Sequence, residues 1–183
     1  MAYPITKFGF YSLSRIMVNS VKGIENIPIN SNFILISNHE KLIDPLYIIC
    51  PILKKLNKKI HFLASARWWF LGETVCRKWA GCIPLFNSKQ VYKEAKELVK
   101  SGEIVGIFPE GHLDSEIRNP KTGAVRLAIE TNIPILPIGL KSSYLPFCST
   151  LNIGKLVYIP NRKNIEKQTS DLMKQIYRLR DES

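Results

Sequence analysis

A chain of 183 residues with 45% hydrophobic and 22% charged residues is long enough for one sizeable core, short for two domains and too apolar for disorder. Its 26 Lys and Arg against 15 Asp and Glu leave a formal charge of +11, which points to nucleic acid, a phosphate-bearing metabolite or an anionic lipid surface. The four cysteines form no CxxC pair and the three histidines are scattered, so a zinc site and a disulfide framework are not expected and a cytosol-facing location is.

The amino-terminal segment MAYPITKFGFYSLSRIMVNSV has neither a small-residue cleavage site nor an uninterrupted apolar core. Ile5, Phe8, Leu13, Ile16 and Met17 fall roughly on helical spacing, which predicts an amphipathic helix within residues 1–20. Such a helix either lies in a membrane interface or docks on the domain's own core. No stretch reaches the roughly 20 apolar residues that a spanning helix needs.

Further along, short apolar runs recur: FILIS (33–37), IHFLA (60–64), CIPLF (82–86), IVGIF (104–108), ILPIGL (135–140) and KLVYI (155–159). Several are apolar throughout, as strands covered on both faces are. Helical patterns lie between them. SKQVYKEAKELVKSG has Ser88 as its expected N-cap and Gly102 as its stop; TGAVRLAIETN follows. A closing helix over 165–180 carries a stripe of Leu172, Met173, Ile176 and Leu179. The alternation predicts a single α/β domain, a largely parallel central sheet flanked by helices.

Ligands of such sheets bind beyond the carboxyl ends of the strands. His39 stands just past the first run, and Glu110 and Gly111 just past IVGIFP. If those strands are parallel neighbours, both emerge on one rim. Asp44 precedes Pro45, which reads as a helix start; the same carboxylate can also accept from the His39 imidazole and leave Nε2 free to take a proton. The two readings are compatible. No G-x-S-x-G elbow appears, so the hydroxyl that His39 activates is expected on the substrate, and Cys82 and Cys148 are expected to pack in apolar surroundings. Glu110 is expected to accept from a substrate hydroxyl or to brace an Arg. RWWF (67–70) either meets a bilayer or divides between core and surface.

These residues carry a resemblance. NHEKLID (38–44), GCIPLFN (81–87), FPEG (108–111) and NIPILPIGL (132–140) are similar, in order and spacing, to the blocks of the glycerolipid acyltransferases of the lysophosphatidate type. VKGIENIP (21–28) and KTGAVRLAI (121–129) resemble the segments that lead into the family's first and fourth blocks. The resemblance implies His39 as general base and Asp44 as its partner, with substrate contacts from Asn38, Arg67, Asn87, Phe108, Pro109, Glu110, Gly111 and Pro137. Glu110 and Gly111 would face the acceptor's phosphoglycerol part and Pro137 the acyl-donor side.

It further implies acyl transfer from acyl-CoA or acyl carrier protein to a lyso-lipid, with no metal or prosthetic group; the basic charge and the cysteine usage add the expectation of an anionic membrane surface at the inner face of the cell membrane. Three departures bear on the acceptor. Asn87 stands where the family commonly has Arg, Ser65 where a Lys is usual (with Arg67 two residues on), and His112 where Thr is usual. Asn supplies no cationic fork, which weakens an anion site. A thioester hydrolase and a lapsed, lipid-binding relative make nearly the same demands on sequence. Nucleic acid is not expected, because the cations are dispersed and no binding signature is visible.

Overall fold

Val18, at the end of the stretch expected to be helical, belongs instead to an edge strand that runs on to Lys22. The computed structural model describes residues 7–64, 72, 74–111, 119–160 and 163–183. Helix α1 (Lys7–Met17) ends at Met17, and β1 (Val18–Lys22) follows, paired in parallel with β7 (Ser149–Ile153). β-branched residues at 18 and 21 suit a pleated edge better than a helix. Tyr11 and Met17 of α1 pack partly buried against the core.

Among the described residues, seven strands form one sheet in the order β1, β7, β6 (Ile135–Lys141), β2 (Ile34–Ser37), β5 (Ile104–Ile107), β3 (Ile60–Ala64) and β4 (Ile83–Pro84). All neighbouring pairs are parallel except β6 with β7. The expected run at 155–159 is not a strand: Val157 makes an isolated bridge to Ile135, with exposed Lys155 and Tyr158 on either side.

The sheet is covered on both faces. Leu35, Phe62 and Leu136 point toward α2 (Asp44–Leu56), which contributes Tyr47, Ile48 and Ile52. Ile34, Ile36 and Val105 point the other way, to α3 (Ser88–Lys100), α4 (Gly123–Thr131) and α5 (Ile165–Asp181). Consecutive residues of a strand thus feed opposite cores, which is why the strands read as unbroken apolar runs. Asn87, not Ser88, is the N-cap of α3: its side chain accepts from the amides of Lys89 and Gln90. The stop at Gly102 holds in essence, with Ser101 as C-cap and Gly102 at φ 88°.

Helix α5 lies directly on β6. A Cβ placed on Gly139 would stand 2.1 Å from the Arg180 nitrogen and 2.5 Å from the Leu179 carbonyl carbon. Only hydrogen in that position lets the two backbones approach so closely. Gly139→Ala therefore displaces α5, and a loss of about 1–3 kcal/mol is expected in denaturant unfolding. An unchanged unfolding midpoint would contradict this contact.

Candidate active site

β2 and β5 are parallel neighbours, with Ile36 opposite Ile107, so Asn38–His39 and the Phe108–Gly111 turn leave the sheet on one rim. Asn38 is fully buried and continues the ladder where the main chain departs. Its Nδ2 donates to Leu140 O at 2.7 Å and its Oδ1 accepts from Leu140 N at 2.8 Å. Its amide fixes β2 to β6, and the chain is then released to turn at His39.

The turn is shaped by Asp44. Its carboxylate is fully buried, and Oδ2 accepts from Glu40 N at 2.6 Å, Lys41 N at 2.9 Å and His39 Nδ1 at 3.0 Å. The side chain does not cap its own helix; it faces back over the loop that precedes α2, while Pro45 occupies the first turn. An oxygen already accepting from two amides is suited to a third donor, so Nδ1 carries the hydrogen that this carboxylate accepts. His39 is 17% exposed at its side chain, and no described residue hydrogen-bonds Nε2. Its ring stacks on Phe108, centroids 4.2 Å apart, and Phe108 stacks on Phe62 at 5.3 Å. The imidazole is thus fixed in plane and in tautomer.

Glu110 braces the same histidine from the second rim. Its Oε2 accepts from His39 N at 3.0 Å, and its Oε1 accepts from Tyr177 OH at 2.5 Å. The carboxyl group is buried, and these two protein donors engage it. Pro109 is also buried, and its carbonyl accepts from Lys121 N at 2.8 Å. Gly111 closes the turn through Phe108 O with φ 74°, a left-handed geometry that favours glycine. The Lys121 ammonium lies over it: a Cβ there would be 3.0 Å from Nζ. A cation therefore stands beside the turn.

Other expected residues are elsewhere. Pro137 lies inside β6, buried opposite Ile36, with its carbonyl accepting from Gly154 N; it is within the sheet and not on the rim. Asn87 is exposed, and its side-chain oxygen is engaged at the start of α3. Arg67, Ser65, His112 and the RWWF aromatics lie outside the described residues. His61 sits near the start of β3, away from the rim, and burial lowers its pKa. Burial pushes the Cys82 thiol up to about 11, which keeps it protonated and poorly nucleophilic at neutral pH. Cys148, expected to pack, is exposed. Among the described residues, no group of His, Cys, Asp and Glu side chains gathers as a metal site requires.

Tyr177 and Arg180, both on α5, were not anticipated. Arg180 Nη1 approaches Glu40 Oε1 at 3.5 Å, and Glu40 Oε2 accepts from Ser142 N at 3.1 Å. The helix carried only an apolar stripe as its signal. In hindsight, polar residues on a face toward β6 could have marked it.

A family model described as Acyltransferase matches residues 19–141. A 1-acyl-sn-glycerol-3-phosphate acyltransferase of Borreliella burgdorferi is 30% identical over 150 residues, covering 76% of this chain and 58% of that protein. One of the same name from Bacillus subtilis is 31% identical over 123 residues, covering 62% of this chain and 57% of that protein. The chain thus spans less than two thirds of the length of these relatives. The crystal structure of the 1-acyl-sn-glycerophosphate (LPA) acyltransferase PlsC from Thermotoga maritima shares the fold. Its TM-score is 0.73 at 22% identity, covering 96% of this chain and 75% of that one.

Replacing Tyr177 by Phe removes one of the bonds that hold the Glu110 carboxyl group. The expected cost is about 1 kcal/mol or more in denaturant unfolding, with faster amide hydrogen exchange at His39. Exchange at His39 equal to wild type would show that Tyr177 does not brace the rim.

Proposed function

This chain belongs to the glycerolipid acyltransferase family, and on that premise we propose that it moves a fatty acyl group from a thioester to the free hydroxyl of a lysophospholipid. The acceptor is of the 1-acylglycerol 3-phosphate kind, and the donor is acyl-CoA or acylated acyl carrier protein. The observation that carries this reading is the single Asp44 oxygen that accepts from His39 Nδ1 and two loop amides, aiming Nε2 outward.

In this mechanism His39 Nε2 takes the proton of the acceptor hydroxyl as that oxygen attacks the thioester carbonyl carbon. Asp44 steadies the imidazolium that results. The tetrahedral intermediate collapses with cleavage of the C–S bond, and the leaving thiolate recovers the proton from Nε2. Thiolates leave readily, so the step needs little acid assistance. Phe108 keeps the ring from rotating, and Glu110 keeps its backbone in place. Lys121, beside Gly111, supplies a cation for the acceptor's phosphate, and Arg67 and Asn87 are assigned to the same acceptor side.

The acceptor is a membrane lipid, and no described helix is long and apolar enough to cross a membrane. We therefore place the reaction at the surface of an anionic bilayer, on its cytoplasmic side. The chain's charge of +11 supports that placement.

His39→Ala is expected to lower transfer from labelled acyl-CoA to 1-acylglycerol 3-phosphate by roughly 10²–10⁴-fold, with circular dichroism unchanged. Turnover at the wild-type level in that variant rules out the base. Release of free fatty acid at equal rates with and without acceptor would instead identify a hydrolase.

A further inference from the structure

The connection between β6 and β7, residues 142–148, has a polar base and an apolar tip. The base is held on several sides. Ser142 N donates to Glu40 Oε2 at 3.1 Å, Tyr47 OH donates to Ser143 O at 2.8 Å, and Ser143 N donates to Ser149 Oγ at 3.0 Å. Phe147 N donates to Ile16 O at 2.9 Å, which ties the far side of the loop to the end of α1.

The tip does the opposite of what such anchoring ordinarily serves. Tyr144, Leu145 and Phe147 stand 56%, 66% and 62% exposed on a loop that could have folded them inward. Phe147 also adopts φ 57°, a left-handed backbone that a bulky aromatic rarely takes. Neither core packing nor local backbone preference accounts for a Phe at that position. Strain retained at an exposed apolar residue points to a role outside the fold.

The patch continues toward the active rim. Lys41 Nζ lies 5.5 Å from the Tyr144 ring centroid, and Leu42, in the same loop as His39, is 51% exposed. Cations with exposed side chains stand beside it, and the nearest acids are buried or engaged. Arg15 and Lys141 are exposed, whereas Asp44 is buried and Glu40 is engaged by Ser142 and Arg180. Exposed aromatic and aliphatic side chains with Lys41 and Lys141 beside them suit the interface of an anionic bilayer.

We propose that the 142–148 loop is a membrane wedge: Leu145 and Phe147 enter the acyl region of an anionic bilayer while Tyr144, Lys41 and Lys141 rest among the headgroups. The His39 loop then faces the lipid surface, and an acceptor reaches Nε2 without passing through water. The choice of lipid as partner rests on the acyltransferase reading; the binding itself does not require turnover.

The test is sedimentation with vesicles of phosphatidylcholine alone and of phosphatidylcholine with phosphatidylglycerol. Wild type is expected to bind the anionic vesicles, and a Leu145→Ser/Phe147→Ser variant to bind them about tenfold more weakly or worse. Lys141→Gln is expected to narrow the preference for anionic vesicles. Thermal unfolding should be unaltered in the double variant, and so should turnover of a short-chain acceptor dissolved as monomer. Equal vesicle binding by wild type and double variant overturns the wedge, as does a change confined to self-association. Sedimentation is read without substrate. Absent transfer in wild type therefore counts against the acyltransferase reading, while the vesicles still decide on the loop.

Discussion

One buried carboxylate organises the rim. Removing Asp44 from water is costly unless its oxygen is matched by donors, and the matching donors all come from residues 39–41. The loop must therefore curl around the carboxylate, and the curl presents the imidazole at the carboxyl end of β2. The same position starts α2, where a negative group is favoured by the helix dipole. Helix start and imidazole orientation are one arrangement.

Around it, main chain and side chain of His39 are held by different parts of the fold. Asn38 ties the preceding residue to β6, Glu110 holds the His39 amide from the β5 side, and Phe108 covers one face of the ring. None of these depends on a bound partner. The site is preorganised by contacts that the sheet order makes unavoidable, since β2 lies between β5 and β6.

Much of this was legible in the residues. The His39–Asp44 spacing, the FPEG turn after an apolar run and the α/β alternation follow from local chemistry, and they meet as expected. What failed to show was what depends on distant pairing. β1 and β7 are short, with polar residues at Asn19, Ser20 and Asn152 that mask their pattern, and they earn strand geometry from each other and from β6. KLVYI had the right composition but found no partner beyond one bridge. Motif membership does not reveal burial, and Asn38 and Pro137 are both buried. Tyr177 lies 67 residues from Glu110, so nothing local announces their bond.

The close seat of α5 on β6 has a consequence for biosynthesis. The strands and turns that bear His39, Asp44 and Glu110 leave the ribosome before residues 165–181 are made. A nascent chain stalled short of that helix already holds the blocks that define the family, yet lacks the phenol and guanidinium that brace Glu110 and Glu40. Maturation of the rim is thus tied to the synthesis of residues 165–181, and a lesion in that helix acts on a histidine encoded more than a hundred codons upstream.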